Sequence, residues 1–179
     1  MNSTQKHIHT ALFERCINHD EHAQMEVYRL YGSMVFATVS QLVTNTMDAE
    51  ELMQEAFLTA FQQMEKLGAP EAFGSWIKQI AVRKAIDHLR LKSLVWESIS
   101  GEIPADDEWE EEADLDTVYE SIKLLPDGYR VILSLYLLEG YDHEEIAEIL
   151  QISASTSRSQ YTRAKLKLRE KLTEVGYDR

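Results

Sequence analysis

The sequence predicts an all-α protein built as two small helical domains joined by a flexible acidic linker. Three observations carry that expectation. Apolar residues recur at spacings of three and four on both sides of the chain's middle. Residues 96–118 hold ten acids and no Lys or Arg. Near the carboxyl end, two helical patterns are separated only by Gln151, Ile152 and Ser153. A length of 179 residues is near the prior for a single domain, but the acidic break leaves two pieces, each able to hold a modest helical core.

Residues 1–95 read as helix nearly throughout. A short amphipathic piece around Ala11, Leu12, Phe13 and Ile17 comes first, followed by a longer run over 21–43. In that run Val27, Leu30, Tyr31, Met34, Val35, Thr38 and Leu42 keep a helical period. Gly32 within it costs about 1 kcal/mol of propensity, which points to close packing or a mild bend. Asp48 is expected to cap the next helix with Glu51 at its third position. Leu52, Ala56, Phe57, Ala60, Phe61 and Met64 form that helix's buried stripe, and Glu50, Glu51, Gln54 and Glu55 stay exposed. Gly68, Ala69 and Pro70 end it. A further helix over about 72–94 turns Trp76, Ile77, Ile80, Ala81 and Leu89 inward and a basic face outward.

The formal net charge of −13 argues against a nucleic-acid partner until it is placed along the chain. Residues 1–95 carry 9 bases against 11 acids and residues 119–179 carry 9 against 10, so the excess sits in 96–118, with its run Glu110, Glu111, Glu112. Gly101, Pro104 and weak apolar periodicity make this segment a linker by composition. On either side lie basic stretches: Lys78, Arg83, Lys84, Arg90 and Lys92 against Asp87 alone within 76–95, and 7 bases against 3 acids within 151–179. A tethered polyanion between two cationic surfaces is expected to mask them in the free chain, an effect that fades as salt rises. The plainer alternative is a solubilising spacer.

The carboxyl-terminal pair, 142–150 and 153–172, is the strongest local pattern. Asp142 and Glu145 form a reciprocal capping pair at the start of the first helix, with Ile146, Ala147 and Leu150 on one face. Ser153 can cap the second helix, whose inward stripe is Ser157, Tyr161, Ala164, Leu168 and Leu172. The opposite face carries Arg158, Ser159, Thr162, Arg163, Lys165 and Arg169. Guanidinium and hydroxyl groups near the start of such a helix suit base edges, and later cations suit phosphates. A solvated basic face on an ordinary helical hairpin has the same spacing.

Other chemistry is weakly signalled. His143-Glu144-Glu145 begins like a zinc-peptidase motif, but position 147 is Ala where a second histidine is required. His7 with His9, and His19 with His22, lack a thiolate or carboxylate framework and read as surface histidines. No Gly-rich phosphate loop or nucleophile elbow is present, so a non-enzyme without cofactor or metal is expected. Cys16 alone forms no internal disulfide, no apolar run approaches a membrane span, and the amino terminus lacks a signal-peptide pattern, so a cytoplasmic location is expected.

Taken together these stretches resemble the extracytoplasmic-function sigma factors of the bacterial sigma-70 family. The resemblance rests on DAEELMQEAFLTAF at 48–61, FGSWIKQIAVRKAIDHLR at 73–90, LLPDGYRVILSLYLLEGYDHEEIAEILQIS at 124–153 and STSRSQYTRAKLKLREKL at 155–172. It implies sigma region 2 over 1–95, the linker over 96–118 and region 4 with its helix-turn-helix over 119–179. Core RNA polymerase and promoter DNA are the implied partners, with an anti-sigma factor as a further candidate and no membrane insertion. Polymerase contact would fall to Asp48, Glu51, Leu52, Gln54, Glu55 and Phe57. Minus-10 DNA would fall to Phe73, Lys78, Arg83, Lys84, Asp87 and Arg90, with a flipped base received near 68–73. Either ring of Phe73 and Trp76 could be core, and for Trp76 core is the better reading. Minus-35 DNA would fall to Ser155, Thr156, Arg158, Ser159, Thr162, Arg163 and Lys165. The chain departs from the family where Arg83 stands for a common Asn, Ser157 for a small aliphatic residue, and Gln151 for the usual Gly of the turn. A helix-turn-helix regulator that binds DNA as a dimer without polymerase, and a helical interaction bundle, are the alternatives.

Overall fold

The computed structural model describes the backbone of residues 3–91 and 115–174, with side chains over 10–91 and 116–174. The described residues form helices and turns, with no strand among them. They fall into two compact units, 1–87 and 88–179. Most of the acidic linker lies outside the described residues; its last part, 115–118, is the start of a helix.

The first unit contains α1 (Ser3–Ile17), α2 (Glu21–Leu42), α3 (Thr46–Gln62) and most of α4 (Phe73–Leu91), whose last turn from His88 is counted with the second unit, and two single 3₁₀ turns at Met64–Lys66 and Pro70–Ala72 lie between α3 and α4. Asp20 caps α2 by accepting from the His22 and Ala23 backbone N–H groups at 2.9 and 3.1 Å. Arg15 donates to the same carboxylate at 2.8 Å, which lowers its pKa. The α1 stripe is Leu12, Phe13 and Cys16, whereas the expected Ala11 and Ile17 are exposed. In α2 the buried line is Ala23, Val27, Val35, Val39 and Leu42, and Leu30 falls outside it, exposed to solvent. Asn45, not Asp48, caps α3, accepting from the Met47 and Asp48 N–H groups. An Asn is an equally good cap, and it opens the helix earlier because Thr46 and Met47 can join the first turn.

Phe73 is the aromatic hub of this unit. Its ring centroid lies 5.0 Å from Phe13, 4.9 Å from Tyr31 and 6.0 Å from Trp76, all in edge-on or tilted contacts. Gly74 lies beside the same Tyr31 ring, where a Cβ would make van der Waals contact at 3.4 Å. Phe57 makes a second centre with Tyr28 at 4.7 Å and Phe61 at 5.9 Å.

The second unit contains α5 (Leu115–Lys123), α6 (Asp127–Leu133), α7 (His143–Leu150) and α8 (Ala154–Glu174). Tyr129–Leu133 of α6 are buried, as are Ser134 and Leu135 just beyond it, and α6 packs on α8, which also receives α5 and α7. Arg130 is buried at its centre, donating to the Leu125 carbonyl at 3.0 Å and pairing with Asp127. Beyond α6 the chain makes one wide π-helical turn, Ser134–Leu138, closed by the Glu139 N–H on the Ser134 carbonyl at 3.0 Å.

Candidate nucleic-acid interface

The α7–turn–α8 hairpin is built by local chemistry at both helix ends. Asp142 accepts from the Glu145 N–H at 2.8 Å while Glu145 accepts from the Asp142 N–H at 2.9 Å, the reciprocal cap expected from the sequence. At the far end of α7, Gln151 adopts φ 55°, ψ 45°. The Ile152 N–H then reaches the Ala147 carbonyl at 3.0 Å and the Gln151 N–H the Glu148 carbonyl at 3.3 Å, a Schellman pattern whose left-handed residue is ordinarily glycine. Ser153 caps α8, its Oγ accepting from the Thr156 N–H at 3.0 Å.

Ser157, Gln160, Ala164, Leu168 and Leu172 are the buried line of α8. Tyr161, expected on that line, is half-buried because its ring turns to Tyr136 and His143, at 4.4 and 5.5 Å. Arg158 and Ser155 are exposed, and Thr156, Ser159, Thr162, Arg163 and Lys165 are partly exposed on the other side of the helix. Lys165 also lies over the Tyr161 ring at 5.3 Å. One helix thus presents hydroxyls and cations together, on a rigid support.

Sequence reasoning missed what holds this surface from behind. His143 Nδ1 lies 2.9 Å from the Ser157 Oγ, and its ring stacks on Tyr136 at 4.7 Å and 23°. Burial lowers the His143 pKa below its usual 6.5, aided by the nearby Arg158 charge and opposed by Glu144 and Asp142. The next residue, Glu144, accepts from Arg158 Nη2 at 2.5 Å. The only trace in the sequence was Ser157 itself, polar where a small aliphatic residue is commoner.

In the first unit the acidic face of α3 stands as expected: Glu50, Glu51, Gln54 and Glu55 are exposed, with Asp48 partly so. Leu52 and Phe57 lie on the buried stripe as the period predicts, which leaves neither side chain on the exposed face expected to meet polymerase. Phe57 is 2% exposed and Leu52 is also buried, because both point into the core side of α3 against α2. On α4, Arg83 and Asp87 are exposed and Lys78, Lys84 and Arg90 partly exposed. Lys84 pairs with Glu55 at 3.1 Å, linking the acidic and basic faces. Phe73, expected at DNA, is fully buried as the aromatic hub, whereas Trp76, expected in the core, keeps a partly exposed ring. Both side chains fit the helical period, and only the position of α1 and α2 decides which is covered. A cavity of about 200 Å³ adjoins the segment 68–73, lined by Thr10, Phe13, Glu14 and Ile17 of α1 and by Met64, Leu67 and Pro70. The contribution of α1 to it was not foreseen. Cys16 is buried on the inner face of α1, and burial pushes its thiol up to about 11.

Comparison with known proteins agrees with this geometry. Residues 27–94 match sigma-70 region 2 and residues 115–168 match sigma-70 region 4. The chain is 32% identical over 165 residues to the RNA polymerase sigma factor SigV of Bacillus subtilis, covering 92% of this chain and 93% of that one. It is 26% identical over 172 residues to the ECF RNA polymerase sigma factor SigW of the same organism, covering 87% and 92%. Its fold resembles that of the sigma factor RpoE from Bartonella quintana, solved in complex with the anti-sigma factor NepR, with a TM-score of 0.56, 18% identity and coverage of 83% and 96%.

Proposed function

Because the chain belongs to the extracytoplasmic-function sigma factors of the bacterial sigma-70 family, and so binds core RNA polymerase and directs promoter-specific transcription initiation, we propose how its surfaces divide that work. The polar face of α3, with the carboxylates of Asp48, Glu51 and Glu55 and the amide of Gln54, meets a basic surface of core polymerase. Leu52 and Phe57 support them from within by fixing the pitch of α3. Carboxylates here steer and orient the encounter. The minus-10 element falls to α4, through Lys78, Arg83, Lys84, Asp87 and Arg90. Trp76 offers the ring that Phe73 cannot, and the cavity between α1 and the 3₁₀ turns is where a flipped base would enter.

The minus-35 element falls to α8. Ser155, Thr156, Arg158, Ser159 and Thr162 face base edges near its start, and Arg163 and Lys165 reach phosphates. The observation that carries this reading is the one-sided α8, packed by its small and apolar line and leaving hydroxyls and cations outward. The segment 1–95 serves as region 2 and 119–179 as region 4, with the linker between them. An anti-sigma factor, the partner of the Bartonella protein, is proposed as a third partner. Among the described residues no helix is long and apolar enough to cross a membrane, and we place the chain in the cytoplasm with the polymerase.

The test is charge reversal on α3. Glu51→Lys with Glu55→Lys should abolish co-purification with core polymerase while helical content stays intact, because both side chains are exposed. Undiminished polymerase binding would remove α3 from the interface.

A further inference from the structure

Two neighbouring residues at the start of α7 each hold one of two neighbouring residues on α8. His143 is hydrogen-bonded to Ser157, and Glu144 accepts from Arg158. Ser157 is fully buried, so its hydroxyl needs a partner within the protein, and the His143 ring is that partner. The ring is itself fixed between Tyr136, on the π-helical turn, and Tyr161 of α8. The anchor beneath the start of α8 is therefore polar, directional and braced by two aromatic rings.

We propose that His143 and Glu144 are positioning residues for minus-35 reading, His143 setting the placement of α8 through Ser157 and Glu144 holding the Arg158 guanidinium in a single rotamer before DNA arrives. The inference rests on the assignment of Arg158 to a base edge. An arginine has five N–H donors in a rigid fork, and the Glu144 pair occupies Nη2, so the group keeps capacity for a second acceptor. Arg is rich in rotamers, and fixing it beforehand reduces the ordering lost when DNA binds. The carboxylate also opposes casual phosphate contact, because it lowers the local positive potential. Selectivity rises more than affinity.

The pair is exposed on both sides, 55% for Arg158 and 65% for Glu144, which limits the effect of losing it to about two- to fivefold. The experiment measures run-off transcription by core polymerase reconstituted with the full chain, on promoters bearing single base-pair changes across the minus-35 element. Arg158→Ala first identifies the base pairs at which that residue discriminates. Glu144→Ala should reduce discrimination by about two- to fivefold at those base pairs alone, with Glu144→Gln, which keeps an acceptor, restoring at least half of it. His143→Ala should blunt discrimination across all the pairs read by α8, and His143→Asn, which keeps a polar atom near Ser157, should recover part. Thermal unfolding of each variant separates selectivity from stability.

Unchanged discrimination in Glu144→Ala, with Arg158→Ala effective, would overturn the positioning role while leaving the reading of Arg158 intact. An equal loss at every base pair in Glu144→Ala would also overturn it, reducing Glu144 to a general charge. Arg158→Ala without effect at any base pair would overturn the assignment of Arg158, and this inference with it.

Discussion

Replacing Gln151 by Gly should stabilise the second unit. Gln151 sits at φ 55°, in the left-handed region, at the turn between α7 and α8. A left-handed conformation costs an L-residue roughly 1–2 kcal/mol, whereas glycine adopts it freely. Against this, glycine loses about 0.5–1 kcal/mol more conformational freedom on folding than alanine in regular structure. Gln151 is exposed, so little packing is lost with its side chain. The balance is about 0.5–1 kcal/mol in favour of Gln151→Gly, a rise of about 2–8 °C for a unit of this size. Gln151→Ala keeps the Cβ and should give no gain. The assay is amide hydrogen exchange on the full chain, read at Ile152, whose N–H bonds the Ala147 carbonyl, and at Ser157, whose N–H bonds the Ser153 carbonyl. Exchange should slow by about two- to fivefold in the Gly variant. Equal or faster exchange with Gly would refute the reasoning, since Gln151 would then bear no strain that glycine relieves.

Arg158→Ala should weaken transcription from a cognate promoter by about 1–3 kcal/mol for a lost base contact and relax preference at that position, whereas Arg163→Ala should weaken all promoters alike with a shallower salt dependence; run-off transcription at several salt concentrations separates the two. Acid should loosen the second unit through His143. Its folded pKa lies below 6.5, so the unfolded chain takes up the proton first; stability is full above about pH 6.5 and declines as pH falls through 6.5 toward the lowered folded value. His143→Asn should flatten that decline, measured by urea unfolding between pH 7.5 and 5.5. In the linker, Glu108, Glu110, Glu111 and Glu112 replaced by Gln should tighten binding of the free chain to nonspecific DNA at low salt, measured by fluorescence anisotropy, with the difference vanishing as salt rises. No change at low salt would leave the segment a spacer.

The sequence by itself determined the helices and the caps at the start of both α7 and α8, because periodicity and capping are local. Asp142 with Glu145 was legible for that reason, and so was the left-handed demand at Gln151, where the resemblance led one to expect a glycine. The division into two units falls between Asp87 and His88, within α4, and not at the acidic segment from which a break was expected. Which side chain of a helical stripe is finally covered was not local. Phe73 and Trp76 both fit the inward period of α4, and only the approach of Phe13 and Tyr31 buries the first while leaving the second partly open. Leu30 keeps period with Val27 yet stays exposed, because no described neighbour covers that edge of α2. The pairing of His143 with Ser157 and of Glu144 with Arg158 joins residues fourteen apart across a turn. No periodicity records such a contact: it exists only because the left-handed turn at Gln151 folds α8 back against the start of α7, within reach of a hydrogen bond.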